Sequence, residues 1–171
     1  MAPDLAAAEA ALRASEQRFH RMFEHSPVSL WEMDLRPARA FLDDLRRSLG
    51  EDPALPTDEP RLRAYLTAHP EAVAKCAELI RVTDVNRATV DLYRAPDKAT
   101  LLERIDDVLV PESMPYILDQ MVALAAGRPH VHGETVHRAL DGTLIHLSLL
   151  GDASSTGEGS LDRTILSVID I

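Results

Sequence analysis

Two histidines spaced two residues apart come nearest to a metal-binding pattern in this sequence. On a strand, His130 and His132 would share one face, and two imidazoles on one face can hold a metal ion. No cysteine lies near this pair, and no spacing fixes a third ligand. Solvent-facing strand histidines are the commoner arrangement, so the sequence predicts no metal site here.

The single cysteine, Cys76, is the one candidate for a reactive thiol. It lies on the apolar side of a predicted helix, where a buried and inert thiol is the common outcome. A lone cysteine excludes an internal disulfide framework and a Cys-based zinc site, and it is consistent with a reducing compartment. We therefore expect Cys76 to be buried and unreactive.

Adjacent acidic residues are the remaining candidates for catalysis. The pairs Asp43-Asp44 and Asp106-Asp107 fall in predicted helices, where neighbours point about 100° apart and do not form a carboxylate dyad. The sequence also lacks a Gly-rich phosphate loop, a nucleophile elbow and a His-Glu metal motif. We therefore expect no enzymatic activity in this chain.

Composition limits the remaining classes of function. A chain of 171 residues, 46% hydrophobic and 27% charged, is typical of one globular domain. Its net charge of −10, from 18 basic and 28 acidic residues, argues against binding to nucleic acid, because phosphates are met by clustered Lys and Arg. No apolar run approaches the roughly 20 residues of a membrane span, and no secretory signal is present. We expect a cytoplasmic location.

The elements of the chain are organised around the stretch from Ile80 to Tyr93. The first half of this stretch is rich in β-branched residues, which predict a strand. Asn86 follows, and an Asn at this position can accept hydrogen bonds from the free N–H groups of a new helix. Val90 and Tyr93 then sit at helical spacing. We therefore predict a strand, a structural cap at Asn86 and a helix.

The N-terminal region is predicted to be an amphipathic helix whose seam packs on a partner chain, forming a homodimer, or on the chain's own domain. Residues from Leu5 to His25 are mostly strong helix formers, and Ser26-Pro27 ends the helix. Apolar and small residues at alternating three- and four-residue steps form a narrow seam that two helices can share, namely Leu5, Ala8, Leu12, Ser15, Phe19 and Met22. We therefore assign residues 1–27 to this helix and residues 28–171 to one domain.

The domain is predicted to begin with a strand and to continue with a helical insertion. Val28 to Leu35 is the first strand and carries Trp31. Three helical patterns then occupy residues 36–79, before the strand at Ile80.

The second half of the domain is predicted to hold two further helices and three strands. Helical patterns run from Lys98 to Asp107 and from Met114 to Ala126, and Gly127 with Pro129 closes the second of them. The strands are Val131 to Leu140, Thr143 to Leu150 and Arg163 to Ile171, with a hairpin at Asp141-Gly142 and a polar loop over 151–162. The predicted fold class is α+β, a five-stranded antiparallel sheet with helices packed on one face.

Three short motifs resemble those of PAS domains of the bacterial sensory-box type, and they occur in the family's order. Thr83-Asp84-Val85-Asn86-Arg87-Ala88 resembles the second strand and first short helix. Arg138-Ala139-Leu140-Asp141-Gly142-Thr143 resembles the hairpin between the third and fourth strands, and Val168-Ile169-Asp170-Ile171 resembles the closing strand. The resemblance covers roughly residues 15–35 and 80–171, so the insertion is a departure from the family pattern.

The resemblance implies a sensory or regulatory module of a larger signalling protein, such as a histidine kinase of a two-component system or a diguanylate cyclase. It places a cavity between the long helix and the sheet, so the implied pocket residues are Trp31, Met114, Ile117, Leu118 and Met121. It also places the junction to an output domain at Asp170. The alternative is a protein-interaction and dimerisation module with a filled core and no ligand.

Two cofactors that PAS domains bind are not expected. Flavin-binding members carry a Cys in the helix after the Asn, where this chain has Ala88, Thr89 and Val90. Haem-binding members use a His on the long helix, and no His lies between Met114 and Gly127. Any ligand would therefore be a small molecule whose identity the sequence leaves open.

Overall fold

Five antiparallel strands form one sheet at the centre of the protein. The computed structural model describes residues 2–128, 130–152, 161 and 163–171, with backbone alone for residues 2, 3, 130 and 131. The strands are β1 Ser29–Asp34, β2 Arg81–Val85, β3 His130–Arg138, β4 Leu144–Asp152 and β5 Thr164–Asp170. Their order in the sheet is β2-β1-β5-β4-β3, with antiparallel pairing throughout. The predicted fold class is confirmed.

The described part of the chain also contains seven α-helices. They are α1 Ala2–Glu24, α2 Arg36–Ser48, α3 Glu59–Ala68, α4 Pro70–Leu79, α5 Arg87–Leu92, α6 Lys98–Glu103 and α7 Met114–Ala125. Helices α2, α3 and α4 stand between β1 and β2, as the sequence predicts. Pro lies in the first turn of α2, α3, α4 and α7, where its missing N–H removes no intrahelical bond.

One predicted helix is shorter than expected. The pattern from Lys98 to Asp107 predicts a continuous helix, but α6 ends at Glu103 and a 3₁₀ turn runs from Ile105 to Val108. Arg104 leaves the helical region, with φ −113, while its N–H still bonds back to Thr100 and Leu101. The break allows Leu101 and Val108 both to be buried in the core.

Part of the predicted polar loop lies outside the described residues. Gly151 and Asp152 belong to β4 rather than to the loop, because they pair with Leu166 on β5 and His130 on β3, respectively. Residues 153–160 and 162 are not described, nor is Pro129, which the sequence predicts to follow α7. The His130 side chain also lies outside the described part, so the predicted absence of a metal site at His130 and His132 stays a prediction.

The inserted helices are part of the hydrophobic core. Leu42 on α2, Leu62 and Leu66 on α3 and Cys76 on α4 are fully buried and cluster with residues of α7. A second cluster joins Trp31 and the inner faces of β4 and β5 to α5 and α6. Because α7 shares one cluster with the insertion and lies against the sheet, it connects the two halves of the core.

Helix α1 extends from the domain. Residues 4–18 are all exposed, whereas Phe19 is half-buried and Phe23 is buried at the base of the helix. Leu5, Leu12 and Met22 are each at least 60% exposed. Within the described residues, no helix combines the length and the apolar character that a membrane span needs.

Candidate functional site

Asn86 joins three elements through its side chain. Its Oδ1 accepts hydrogen bonds from the backbone N–H of Thr89 and of Leu30, at 3.1 and 3.0 Å, and from the Thr89 hydroxyl at 2.9 Å. Its Nδ2 donates to the carbonyls of Phe23, Ser26 and Val28. The predicted cap is therefore present, and the same amide also ties the end of α1 to β1.

A second contact holds the base of α1. The Lys98 ammonium pairs with Glu24 at the end of α1, at 2.8 Å, and with Asp84 on β2, at 2.9 Å. The Arg163 guanidinium lies 5.0 Å from the centre of the Phe19 ring. The last turns of α1 are thus anchored to the sheet and to α6, while the earlier turns project into solvent.

An apolar cavity of about 120 Å³ lies between α7, the inserted helices and the sheet. We call it the insertion cavity. Leu35, the residue before α2, and Cys76 on α4 line one side of it, and Met121 and Leu124 line it from α7. Burial raises the pKa of the Cys76 thiol to about 12, so this side chain is a neutral apolar wall at physiological pH.

A second apolar cavity, also of about 120 Å³, lies under the other end of the sheet. We call it the Trp31 cavity. Trp31, His137 and Leu149 line it from the sheet, and Val108 and Leu109 line it from the 3₁₀ segment. The two cavities adjoin, because they share five lining residues, namely Met33, Ile80, Tyr116, Ile117 and Leu166.

Three buried rings pack together beside the Trp31 cavity, and two of them, those of Trp31 and His137, line it. The Tyr93 hydroxyl lies 2.7 Å from His137 Nδ1, and the Trp31 ring meets Tyr93 edge-on with centroids 5.3 Å apart. Burial lowers the pKa of His137 to about 4 and raises the pKa of Tyr93 well above its usual value, so both groups are neutral at pH 7. Trp31 Nε1 is buried without a hydrogen-bond partner among the described residues.

The depressed pKa of His137 predicts a specific pH dependence. Between pH 6.5 and about 4 the unfolded chain binds a proton that the folded protein does not. The free energy of unfolding should therefore fall by about 3 kcal/mol as the pH drops through this window. Urea titrations between pH 7.5 and pH 4 measure this loss.

Two variants isolate the contribution of His137. His137→Gln keeps a polar partner for Tyr93 and removes the titration, so its unfolding free energy should change less over the window. His146→Gln is the matched control, because His146 is exposed on the neighbouring strand. An identical pH dependence in the wild type and in His137→Gln would contradict the assignment.

The predicted pocket residues lie in different places. Ile117 lines both cavities, Met121 lines the insertion cavity, and Trp31 lines the Trp31 cavity. Met114 and Leu118 pack against the helical core cluster instead. Asp170 ends β5 and is exposed, opposite Leu147 of β4. The roles of all six residues in binding or signalling stay predictions.

Sequence reasoning missed the buried contact between Tyr93 and His137, and it missed His137 as a residue that lines the Trp31 cavity. From the sequence alone, Tyr93 is predicted to be an ordinary core residue at the end of α5. His137 is predicted to be one of several histidines on strands. They meet because β3 places His137 beside the end of α5, although 44 positions separate the two residues. The one local signal for His137 is its place on the inward face, in phase with Thr135, which is also buried.

Solved structures of other proteins have similar folds and align with almost the whole chain. The PAS domain of an HTR-like protein from Haloarcula marismortui has a TM-score of 0.54 at 12% identity, covering 97% of this chain and 99% of its own. The PAS domain of a protein from Colwellia psychrerythraea has a TM-score of 0.54 at 12% identity, covering 91% and 95%. No protein-family model and no curated protein matches the chain. With its strand order and these likenesses, the chain has the fold of a PAS domain.

Proposed function

We propose that this chain is a sensory or regulatory module of a larger signalling protein, and that it binds a small apolar molecule inside its fold. The observation that carries the proposal is the pair of adjoining apolar cavities between α7 and the sheet. Both cavities open partly to solvent beside the exposed residues Asp106 and Asp152. Protein cores are normally close-packed, and concave spaces with apolar walls are where small apolar molecules bind. The module itself is non-catalytic.

A bound molecule would act on α7 and on the sheet together. Ile117 on α7 and Leu166 on β5 line both cavities, so occupancy favours one relative position of these two elements. Strand β5 leads to Asp170, where we place the junction to an output domain such as a histidine kinase or a diguanylate cyclase. The signal requires the molecule to bind one arrangement better than the other.

Xenon tests whether the cavities are open to a guest. We expect the xenon NMR line to shift and broaden in the presence of the protein, because xenon exchanges into apolar cavities. Ile117→Phe should reduce this effect, since Ile117 lines both cavities. Leu118→Phe is the matched control, because the neighbouring side chain packs outside them.

The result also separates the proposal from its rival. The rival is a protein-interaction module with a filled core and no ligand. Xenon lines that are unaffected by the wild-type protein would support that rival and contradict the sensory proposal. Native mass spectrometry of the purified protein provides an independent measurement, because it reports any retained ligand mass.

We propose further that two copies pair through α1. The exposed seam of this helix carries Leu5, Leu12 and Met22, and burial of such side chains drives association. In the dimer, the anchored last turns of the two α1 helices would lie close together. A structural change in either domain would then be transmitted to the helix pair. This arrangement gives the cavities a route to a partner output domain.

Leu12→Glu should convert the dimer into a monomer. The substitution places a charge in the middle of the seam, where pairing would bury it without a partner. Ala10→Glu is the matched control, because Ala10 lies on the opposite face of the same helix and is exposed. Sedimentation velocity measures both variants. A Leu12→Glu protein that sediments like the wild type would contradict pairing through this seam.

A further inference from the structure

One wall of the Trp31 cavity continues directly into α6. The 3₁₀ turn that follows α6 carries Ile105 and Val108, and both of these residues line the cavity. Leu101 on α6 is fully buried in the same hydrophobic cluster as Trp31 and Val108. Because close-packed side chains transmit strain, a change in the space that this cavity encloses should displace the 3₁₀ turn and α6 together.

The first residue of α6 holds the base of α1. Lys98 Nζ lies 2.8 Å from Glu24 Oε2 at the end of α1 and 2.9 Å from Asp84 Oδ1 on β2. The three side chains are only 27–32% exposed, so salt screens these ion pairs in part. A single ammonium therefore connects α6 with α1 and with the sheet.

The two carboxylates stay close together because they share this ammonium. Without the charge of Lys98, Glu24 and Asp84 would face each other as like charges, which repel at short range. Asp84 is held in the sheet, where it is paired with Glu32 of β1, whereas Glu24 is the last residue of α1. The repulsion should therefore move the end of α1 rather than the strand.

Asn86 provides a second point of attachment for α1. Its amide donates to the carbonyls of Phe23, Ser26 and Val28, so it fixes the place where the chain leaves the helix. The end of α1 is thus held from two sides, by Asn86 at the start of α5 and by Lys98 on α6. A displacement of α6 relative to Asn86 would change the tilt of α1.

We propose that Lys98 is a positioning residue through which the Trp31 cavity controls the tilt of α1. A change at the cavity wall moves the 3₁₀ turn and α6, and the Lys98 ammonium transmits this displacement to Glu24. The inference rests on the proposed sensory function and adds the route by which the signal reaches α1. Because Lys98 lines neither cavity, its substitution cuts this route and leaves the cavity walls unchanged.

Distances between spin labels measure the tilt of α1. The labels are placed at Ala10→Cys on α1 and at Ala64→Cys on α3, since both positions are exposed. Cys76 is fully buried and the pKa of its thiol is raised to about 12, so it should stay unlabelled. Labelled protein is diluted with unlabelled protein, so that pulsed electron paramagnetic resonance reports distances within one protomer.

Val108→Phe takes the place of a ligand in this experiment. The larger side chain fills the Trp31 cavity from the 3₁₀ turn, and an overpacked core forces the backbone to shift. We expect the mean label distance to change by about 4 Å, which is the displacement that a tilt of about 10° gives at a point about 21 Å from the base of a helix. Leu109→Phe fills the same cavity and replaces Val108→Phe if circular dichroism shows that this protein does not fold.

Substitutions of Lys98 then test the route. Lys98→Met should abolish the change in distance that Val108→Phe causes, and Lys98→Arg, which keeps the charge, should preserve it. Lys75→Met is the matched control and should also preserve the change, because the exposed Lys75 ammonium pairs with Glu78 within α4.

Two results would overturn the proposal. If filling the cavity changes the label distance equally with Lys98 and with Lys98→Met, the residue has a structural role alone. If neither cavity-filling variant changes the distance when Lys98 is present, the cavity wall and α1 are not coupled. Both results are independent of ligand binding, which the xenon experiment measures, so the failure of this route and the failure of the sensory function can be distinguished.

Discussion

Asn86→Asp should destabilise the protein by about 3–5 kcal/mol, the cost of leaving a buried charge without a partner. Asp caps helices as well as Asn does, so the acceptor role toward Thr89 would survive. The Nδ2 donor would not, and a carboxylate oxygen would instead face the carbonyls of Phe23, Ser26 and Val28. Asn86 is fully buried, so water cannot relieve this repulsion.

The matched control is the reverse exchange at a solvent-exposed cap. Asp97 caps α6 by accepting from the Thr100 N–H at 2.8 Å, and its residue is exposed. Asp97→Asn should change stability by less than about 0.5 kcal/mol, because Asn and Asp rank equally at this position. Urea unfolding measures both variants. If the two exchanges reduced the free energy of unfolding by equally small amounts, the role of Asn86 would be limited to capping α5.

Arg46→Met should cost about 3–5 kcal/mol, because it leaves a buried carboxylate and several carbonyls without their donor. The Arg46 side chain is 1% exposed. It pairs with Glu51 at 3.0 Å and donates to the carbonyls of Asp52, Pro53 and Leu55. This one side chain therefore organises the loop after α2, and Met keeps much of its apolar stem in place.

The neighbouring residue supplies the control for this prediction. Arg47 is exposed and pairs with Asp44 at 2.6 Å, so Arg47→Met should change stability by less than about 1 kcal/mol. Adding Glu51→Gln to Arg46→Met should recover part of the loss, since the stranded charge is then removed. Thermal and urea unfolding measure the three proteins. A single variant Arg46→Met as stable as Arg47→Met would show that the loop is held by other contacts.

Local signals in the sequence were sufficient for most of the fold. The β-branched run before Asn86, the Asp141-Gly142 turn and the wide apolar stripe of α7 each specify an element through interactions a few residues apart. Gly142 indeed takes a positive φ of 92, and Thr143 N–H bonds to Asp141 Oδ1 at 2.9 Å. Each of these signals depends only on residues that are close together in the sequence. The elements they specify could therefore be predicted without the rest of the chain.

The cavities could not be predicted in the same way. Their walls combine Cys76 from the insertion with Leu35 before α2, Tyr116 from α7 and Leu166 from β5. No sequence pattern shows which side chains leave space between them. The burial of Arg46 is a similar case, since its partners come from a loop without regular structure. The place of the insertion was predictable from its helical patterns, but its part in the core was not.

The attachment of α1 at one end has a mechanical consequence. A helix of 23 residues is about 34 Å long, and its described contacts with the domain lie in its last turns. A tilt of about 10° at that base would carry the opposite tip through about 6 Å, a displacement comparable to one helical turn. Shifts too small to alter the sheet could thus be amplified along this lever arm before they reach a second protomer.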